Sequence, residues 1–312
     1  MAASPVHPDL RRAARVLPRG VAGPRSVKVL RMLERLADRR PAPSGVEVER
    51  AGSVTVRVHR PPAAPGGPLP AVLWIHGGGY VIGFAAQDDR SCADLARRLG
   101  AVVVAVDYRK GPEHPYPAAL DDCHDALVWL ASLPGVDRRR VAIAGASAGG
   151  GLAAALALAA RDRGEVEPAF QLLVYPMLDD RTTLRPDLDD RHLRLWSGRS
   201  NRFGWRSYLG ADPGFPGVAP TAAPARADDL SGLPPAWVGV GTLDLFHDED
   251  AEYARRLREA GVACELEVVQ GAFHGFDVAV PKAGVSRRFR DSQVAALDAA
   301  LNASPERPVG AG

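Results

Sequence analysis

The chain has 312 residues, 46% hydrophobic and 24% charged, with 39 basic against 37 acidic residues and a net charge of +2. These proportions are ordinary for a globular protein, and a chain of this length can withdraw roughly 75% of its unfolded surface from water. The near-balance of charge gives no reason to expect nucleic acid or a membrane surface as a partner. Cys92, Cys123 and Cys264 lie far apart without paired spacing, which argues against a disulfide framework or a zinc site. They read as small buried residues of a reducing compartment.

The first residues, Met1 to Pro8, lack a basic region followed by an apolar stretch, so a secretion signal is not expected. The longest apolar stretch, Gly149 to Ala160, is too short to span a bilayer, and a cytoplasmic protein without integral membrane association is the expectation. Residues 8–38 place Val27, Leu30, Leu33 and Leu36 at helical spacing, interrupted upstream by Pro18, Gly20, Gly23 and Pro24; one or two amphipathic helices are predicted. Val54, Val56 and Val58 alternate with Thr55, Arg57 and His59, as in a half-buried strand. The Pro/Gly-rich segment 61–70 reads as a surface turn.

Apolar strands follow over 71–75, 101–107, 141–145, 170–175 and 236–240, separated by helical patterns near 92–99, 119–132, 147–163 and 248–260. A last strand near 264–269 and a helix near 285–302 complete the series. Strands apolar on both faces and alternating with helices specify a mostly parallel sheet covered on both sides, an α/β fold. Residues 178–232 break that rhythm and are rich in Asp, Arg, Trp, Pro and Gly, which suggests an insertion packed over the sheet edge.

The run Gly145-Ala146-Ser147-Ala148-Gly149-Gly150 joins the apolar strand at 141–144 directly to an Ala/Leu-rich helix. Gly-x-Ser-x-Gly at such a junction describes a sharp turn that exposes the serine hydroxyl above the sheet. A serine that merely caps the helix is the competing reading. A nucleophilic serine needs a base and an acid to orient that base, in the chain order Ser, Asp/Glu, His. Asp244 ends the strand 236–240 and His274 follows the strand 264–269, so both would converge with Ser147 on the C-terminal edge of a parallel sheet, where open α/β sheets bind ligands. Asp248 and Asp250 read as capping or solvated acids at the start of the next helix. His7, His59, His124 and His192 have no strand-end position and read as surface or satisfied core residues, while His247 lies too near the acid. His76-Gly77-Gly78-Gly79-Tyr80 also follows a strand, and its glycines free backbone N–H groups to face a developing oxyanion. A phosphate-binding loop would need a different glycine spacing opening a helix.

These blocks resemble the hormone-sensitive-lipase-like esterases, the bacterial family IV carboxylesterases and lipases. The resemblance runs from His76-Gly-Gly-Gly-Tyr through Asp107-Tyr108-Arg109 and Pro112-Glu113-His114, Gly145–Gly150, Tyr175-Pro176, Asp244 with Asp248-Glu249, and His274-Gly275-Phe276, over about residues 45–302. It implies an α/β-hydrolase sheet topped by a small helical cap: cap helices over 1–45, a catalytic domain over 46–302 with a cap insertion over about 180–225, and a disordered tail over 303–312. It implies Ser147, Asp244 and His274 as catalytic residues and the N–H groups of Gly78, Gly79 and Ala148 as the oxyanion hole. Tyr80 beside the glycine loop and Trp205 in the cap become candidates for substrate contact, whereas Glu113 and His114 become scaffold. The implied activity is hydrolysis of short- to medium-chain acyl esters with no cofactor or metal. An amidase, a lyase, or a small-molecule receptor on the same fold are the alternatives. The absence of a long exposed apolar lid argues for monomeric rather than emulsified substrate, and the 264–269 strand offers an edge for a homodimer. The chain departs from the family in one place, carrying Ala146 where Asp or Thr usually precedes the nucleophile.

Overall fold

The computed structural model describes residues 4–39, 41–62 and 66–302. Two helices open the chain, α1 (Arg11–Val16) and α2 (Val27–Asp38), followed by the hairpin β1 (Val46–Ala51) and β2 (Val54–His59). Then come β3 (Leu69–Ile75), α3 (Asp89–Leu99), β4 (Val102–Asp107), α4 (Ala118–Ser132), β5 (Val136–Ala146) and α5 (Ala148–Arg163). The remainder consists of β6 (Phe170–Val174), α6 (Gly198–Leu209), β7 (Ala236–Leu243), α7 (His247–Glu259), β8 (Cys264–Phe273), α8 (Phe276–Ala279) and α9 (Gly284–Asn302).

The strands form one eight-stranded sheet in the order β1-β2-β4-β3-β5-β6-β7-β8. Only β1·β2 and β2·β4 are antiparallel; every pair from β4 to β8 is parallel. The central strands are buried on both faces because successive side chains enter different layers, as the period of two requires. Leu73, Ile75, Val104 and Ile143 join an apolar cluster with α4, α5 and α7 on one side. Val72, Trp74, Val103 and Ala142 join a second cluster with α3 and α9 on the other. Helix α5 is buried from Ala148 to Ala160, which explains its uniform Ala/Leu/Gly composition: it has no solvent face to mark with charge.

The predicted strands and helices all have counterparts here, with several boundary differences; β7 runs on to Leu243 and β8 to Phe273, and α3 starts at Asp89. β3 starts at Leu69, inside the segment read as a turn, and β5 starts at Val136, five residues before its apolar run. Leu69 pairs with Val136 and Ala71 with Val141, so the polar stretch Asp137–Arg140 falls in a register shift between the two. In 178–232 the main regular element is α6. That segment is laced to the N-terminal residues by Val21 N–H to Leu195 O (3.2 Å) and Leu195 N–H to Pro18 O (2.8 Å). Arg194 Nε also donates to Ala14 O at 2.5 Å. The tail over 303–312 lies outside the described residues.

Candidate active site

Parallel pairing brings strand ends level. Ile75 is opposite Gly145, Ala146 opposite Val174, and Val174 opposite Gly239, so the loops after β3, β5, β7 and β8 meet at one edge. Between β5 and α5 the chain turns at Ser147, whose φ of 58° and ψ of −123° are unusual for a residue with a side chain. The turn is held by Ser147 N–H to Val174 O (2.9 Å) and by Ser147 O, which accepts from Gly151 N–H and Met177 N–H at 3.0 Å each. A Cβ at position 145 would overlap the Gly149 carbonyl, and one at 149 would overlap the Ile75 carbonyl. Both glycines are therefore demanded by backbone proximity.

Asp244 follows β7 and accepts Phe246 N–H through Oδ1 at 3.0 Å, leaving Oδ2 for His274 Nδ1 at 2.8 Å. His274 Nε2 lies 2.9 Å from Ser147 Oγ. Each of the three residues is only 7% exposed. Two rings fix the imidazole edge-on, Tyr175 at 4.8 Å and Phe246 at 5.2 Å. Tyr175 is held in turn by its hydroxyl, which donates to Asp277 Oδ1 at 2.9 Å. Nothing local in the sequence links Tyr175 to Asp277, since 102 residues separate them. A hydroxyl, an imidazole and a carboxylate joined in this way can pass the hydroxyl proton to Nε2 while the carboxylate holds the ring's tautomer.

The glycine loop lies against this turn. A Cβ at Gly77 would stand 3.0 Å from Ala146 O and 3.3 Å from Ser147 Cβ. Gly78 and Gly79 have φ of 133° and 59°, and a Cβ at Gly79 would overlap the Trp196 indole. No sequence motif marks Trp196 as a site residue; Gly79 and Trp196 are far apart in sequence, so their contact is a purely tertiary feature. His76 is fully buried, stacks on Tyr108 at 4.2 Å, and donates through Nδ1 to Gly77 O at 2.8 Å. Burial, with the Lys110 charge, pushes its pKa down to about 4. The neutral ring thus pins the first carbonyl of the loop. The N–H groups of Gly78, Gly79 and Ala148 donate to no acceptor among the described residues.

Other expected residues fall elsewhere. Tyr80 and Trp205 are 1% and 0% exposed. Tyr80 donates its hydroxyl to Met177 O at 3.0 Å and stacks on Tyr208 at 4.0 Å, and its ring lies 5.3 Å from Trp205. With no surface left to meet a ligand, both are packing residues, which corrects the expectation of substrate contact. Asp248 is exposed and pairs with Arg185 at 2.6 Å. Asp250, expected to be a capping or solvated acid, is fully buried on α7 without a hydrogen-bond partner among the described residues; burial, and then the charges of Glu249 and Asp244, push its pKa well up. Glu249 is buried as well and accepts from Leu178 N–H (2.8 Å), Asp179 N–H (3.1 Å) and Thr182 Oγ1, with its pKa raised to about 8 by burial. It anchors the chain leaving β6. Glu113 pairs with Arg31 of α2 at 2.7 Å and Arg109 with Asp122 at 2.8 Å, and neither reaches Ser147. Ala146 packs against the second apolar cluster.

The sheet order, the serine turn and the strand-end acid and histidine define an α/β-hydrolase. A family model described as the alpha/beta hydrolase fold matches residues 72–278, and the chain belongs to that family. It is 38% identical over 230 residues to the esterase LipI of Mycobacterium tuberculosis, an alignment covering 72% of each chain. It is 36% identical over 233 residues to an ethyl acetate hydrolase of Pseudomonas putida, covering 72% of this chain and 71% of the relative. Among solved structures it superposes on a bacterial heroin esterase with a TM-score of 0.85 and 37% identity, covering 95% of this chain and 98% of that one. Within the superfamily it is a hormone-sensitive-lipase-like carboxylic ester hydrolase. No helix among the described residues is long and apolar enough to cross a membrane.

Proposed function

We propose that the protein hydrolyses short- to medium-chain acyl esters through a Ser147–His274–Asp244 triad and an acyl-enzyme. The observation that carries this reading is the unbroken relay Ser147 Oγ–His274 Nε2 (2.9 Å) and His274 Nδ1–Asp244 Oδ2 (2.8 Å). Ser147 Oγ attacks the ester carbonyl carbon as its proton passes to His274 Nε2, while Asp244 holds the Nδ1–H. The carbonyl oxygen takes the negative charge and receives hydrogen bonds from the N–H groups of Gly78, Gly79 and Ala148, the last at the start of α5. Collapse expels the alcohol with the proton from Nε2, and water repeats the cycle on the acyl-serine with His274 as base. No cofactor or metal is needed. The strained backbone of Ser147 and the unpaired loop N–H groups support these roles.

The N-terminal helices and part of 180–225 act as a cap over this edge, a reading supported by their mutual hydrogen bonds through Pro18, Val21 and Leu195. A small acyl group is supported by the ethyl acetate hydrolase among the relatives. Free cysteines, two of them buried, accord with a cytoplasmic location. The open edge of β8, where Val268 is 42% exposed, would pair two copies in a homodimer. The direct test is Ser147→Ala on p-nitrophenyl acetate and butyrate. Hydrolysis should vanish while the fold is retained, and full activity would sink the assignment. Rates across acyl lengths, and on a matched amide, then separate esterase from amidase.

A further inference from the structure

Helix α2 turns its polar side to the protein and its apolar side to water. Arg31 donates to Val81 O at 2.7 Å and to Glu113 at 2.7 Å, and it also reaches Gly111 O. Glu34 accepts Gly83 N–H at 2.8 Å, and Val27 is the one apolar residue of the helix that is buried. On the opposite side Val29, Met32, Leu33 and Leu36 are 54%, 55%, 53% and 53% exposed. Their i, i+3, i+4, i+7 spacing makes one continuous stripe, the pattern that ordinarily faces a core. Leu33 and Leu36, which the periodicity assigned to an apolar helix face, thus show that face to solvent. Contiguous apolar faces of this kind mark interaction surfaces.

Charge selects the partner. Residues 1–40 hold ten basic and three acidic side chains, a surplus of seven in a chain whose net charge is +2. Two of those acids are turned inward, Glu34 to Gly83 and Asp9 to Val285 N–H at 3.1 Å. Lys28 and Arg35 are exposed beside the stripe, with Arg25 and Arg39 at the two ends of the helix. A second copy seated face to face on α2 would bring two such basic surfaces together. An anionic surface neutralises them.

We propose that the outward face of α2 docks on an anionic lipid surface. Val29, Met32, Leu33 and Leu36 enter the headgroup region, and Lys28 and Arg35 lie against lipid phosphates, as for a basic amphipathic helix lying in the interface. The inward face of the same helix is bonded to the loop that follows Gly79, at Val81 O and Gly83 N–H. Docking therefore brings the reactive edge beside the interface in which poorly soluble esters collect. The inference goes beyond the proposed ester chemistry and does not rest on the roles given to Ser147 or His274.

The test is flotation of the full chain with vesicles of three parts phosphatidylcholine to one part phosphatidylglycerol, and with pure phosphatidylcholine. The wild type should float with the first at low salt and far less with the second. Met32→Gln/Leu36→Gln and Lys28→Glu/Arg35→Glu should each lower the partition by about tenfold or more. Both should keep the wild-type circular dichroism and urea midpoint, which shows that the fold is intact. A wild type that does not float, or a Met32→Gln/Leu36→Gln protein that floats undiminished, would overturn the proposal. So would a wild-type dimer that this variant dissolves in analytical ultracentrifugation, since the face would then belong to a second copy. If the wild type floats but hydrolyses no soluble ester, the ester reading fails and the docking surface stands.

Discussion

His76 couples the glycine loop to pH in a way that can be measured. Its Nδ1–H holds Gly77 O, its ring stacks on Tyr108, and its Nε2 is buried without a hydrogen-bond partner among the described residues, 3.8 Å from Asp107. The ordinary imidazole value of 6.5 is pushed down to about 4 in the fold, first by burial and then by Lys110. Between those values the unfolded chain binds a proton that the native chain refuses, so stability is full above pH 6.5 and is lost as pH falls toward 4. A gap of that width corresponds to roughly 3 kcal/mol over the whole window. His76→Asn keeps an N–H near the Nδ1 position and removes the titration, at a constant cost in lost stacking. Urea unfolding followed by tryptophan fluorescence should therefore show the wild type ahead at pH 7.5, with its lead shrinking by about 2–3 kcal/mol at pH 4.5. Other acid transitions cancel in the difference between the two proteins. A lead that does not change with pH would refute the neutral, desolvated histidine.

Gly79→Ala places a Cβ on the Trp196 indole at a φ of 59°, so the loop must shift. Steady-state kinetics should give a fall in kcat of about 10²–10³ with a smaller change in KM; activity within a few-fold of wild type would show that this loop geometry does not matter. Asp250→Ala removes a buried carboxyl that has no partner among the described residues. Because the native pKa of Asp250 is raised, its proton binding favours the fold only at low pH, and that contribution is lost as pH rises. The variant should gain about 1–3 kcal/mol relative to wild type at pH 8 and less at pH 4.5, read from urea midpoints.

Much of this was legible along the chain because strand ends are local events. The apolar runs before Gly145 and Gly241 and the alternating Cys264–Val269 before Gln270 mark β5, β7 and β8, and Ser147, Asp244 and His274 each sit within a few residues of one. Hidden were the residues whose partners lie far away in sequence. Asp250 has the same chemistry as its neighbour Asp248, and only the rotation of α7 decides that one is buried and the other pairs with Arg185. Tyr80 and Trp205, aromatic and close in sequence to site or cap, were spent on packing against Tyr208.

The sequence by itself determined the alternation of strands and helices, the parallel sheet and the serine turn, because period and glycine spacing are properties of adjacent residues. Tertiary structure alone decided which sides of helices meet the protein. Periodicity shows that α2 has an apolar face but not where it points. That direction was settled by Arg31 and Glu34, which found partners at Val81, Glu113 and Gly83 and left the apolar stripe in water. The summed charge likewise averages to near zero, while the fold leaves Lys28 and Arg35 exposed beside that stripe.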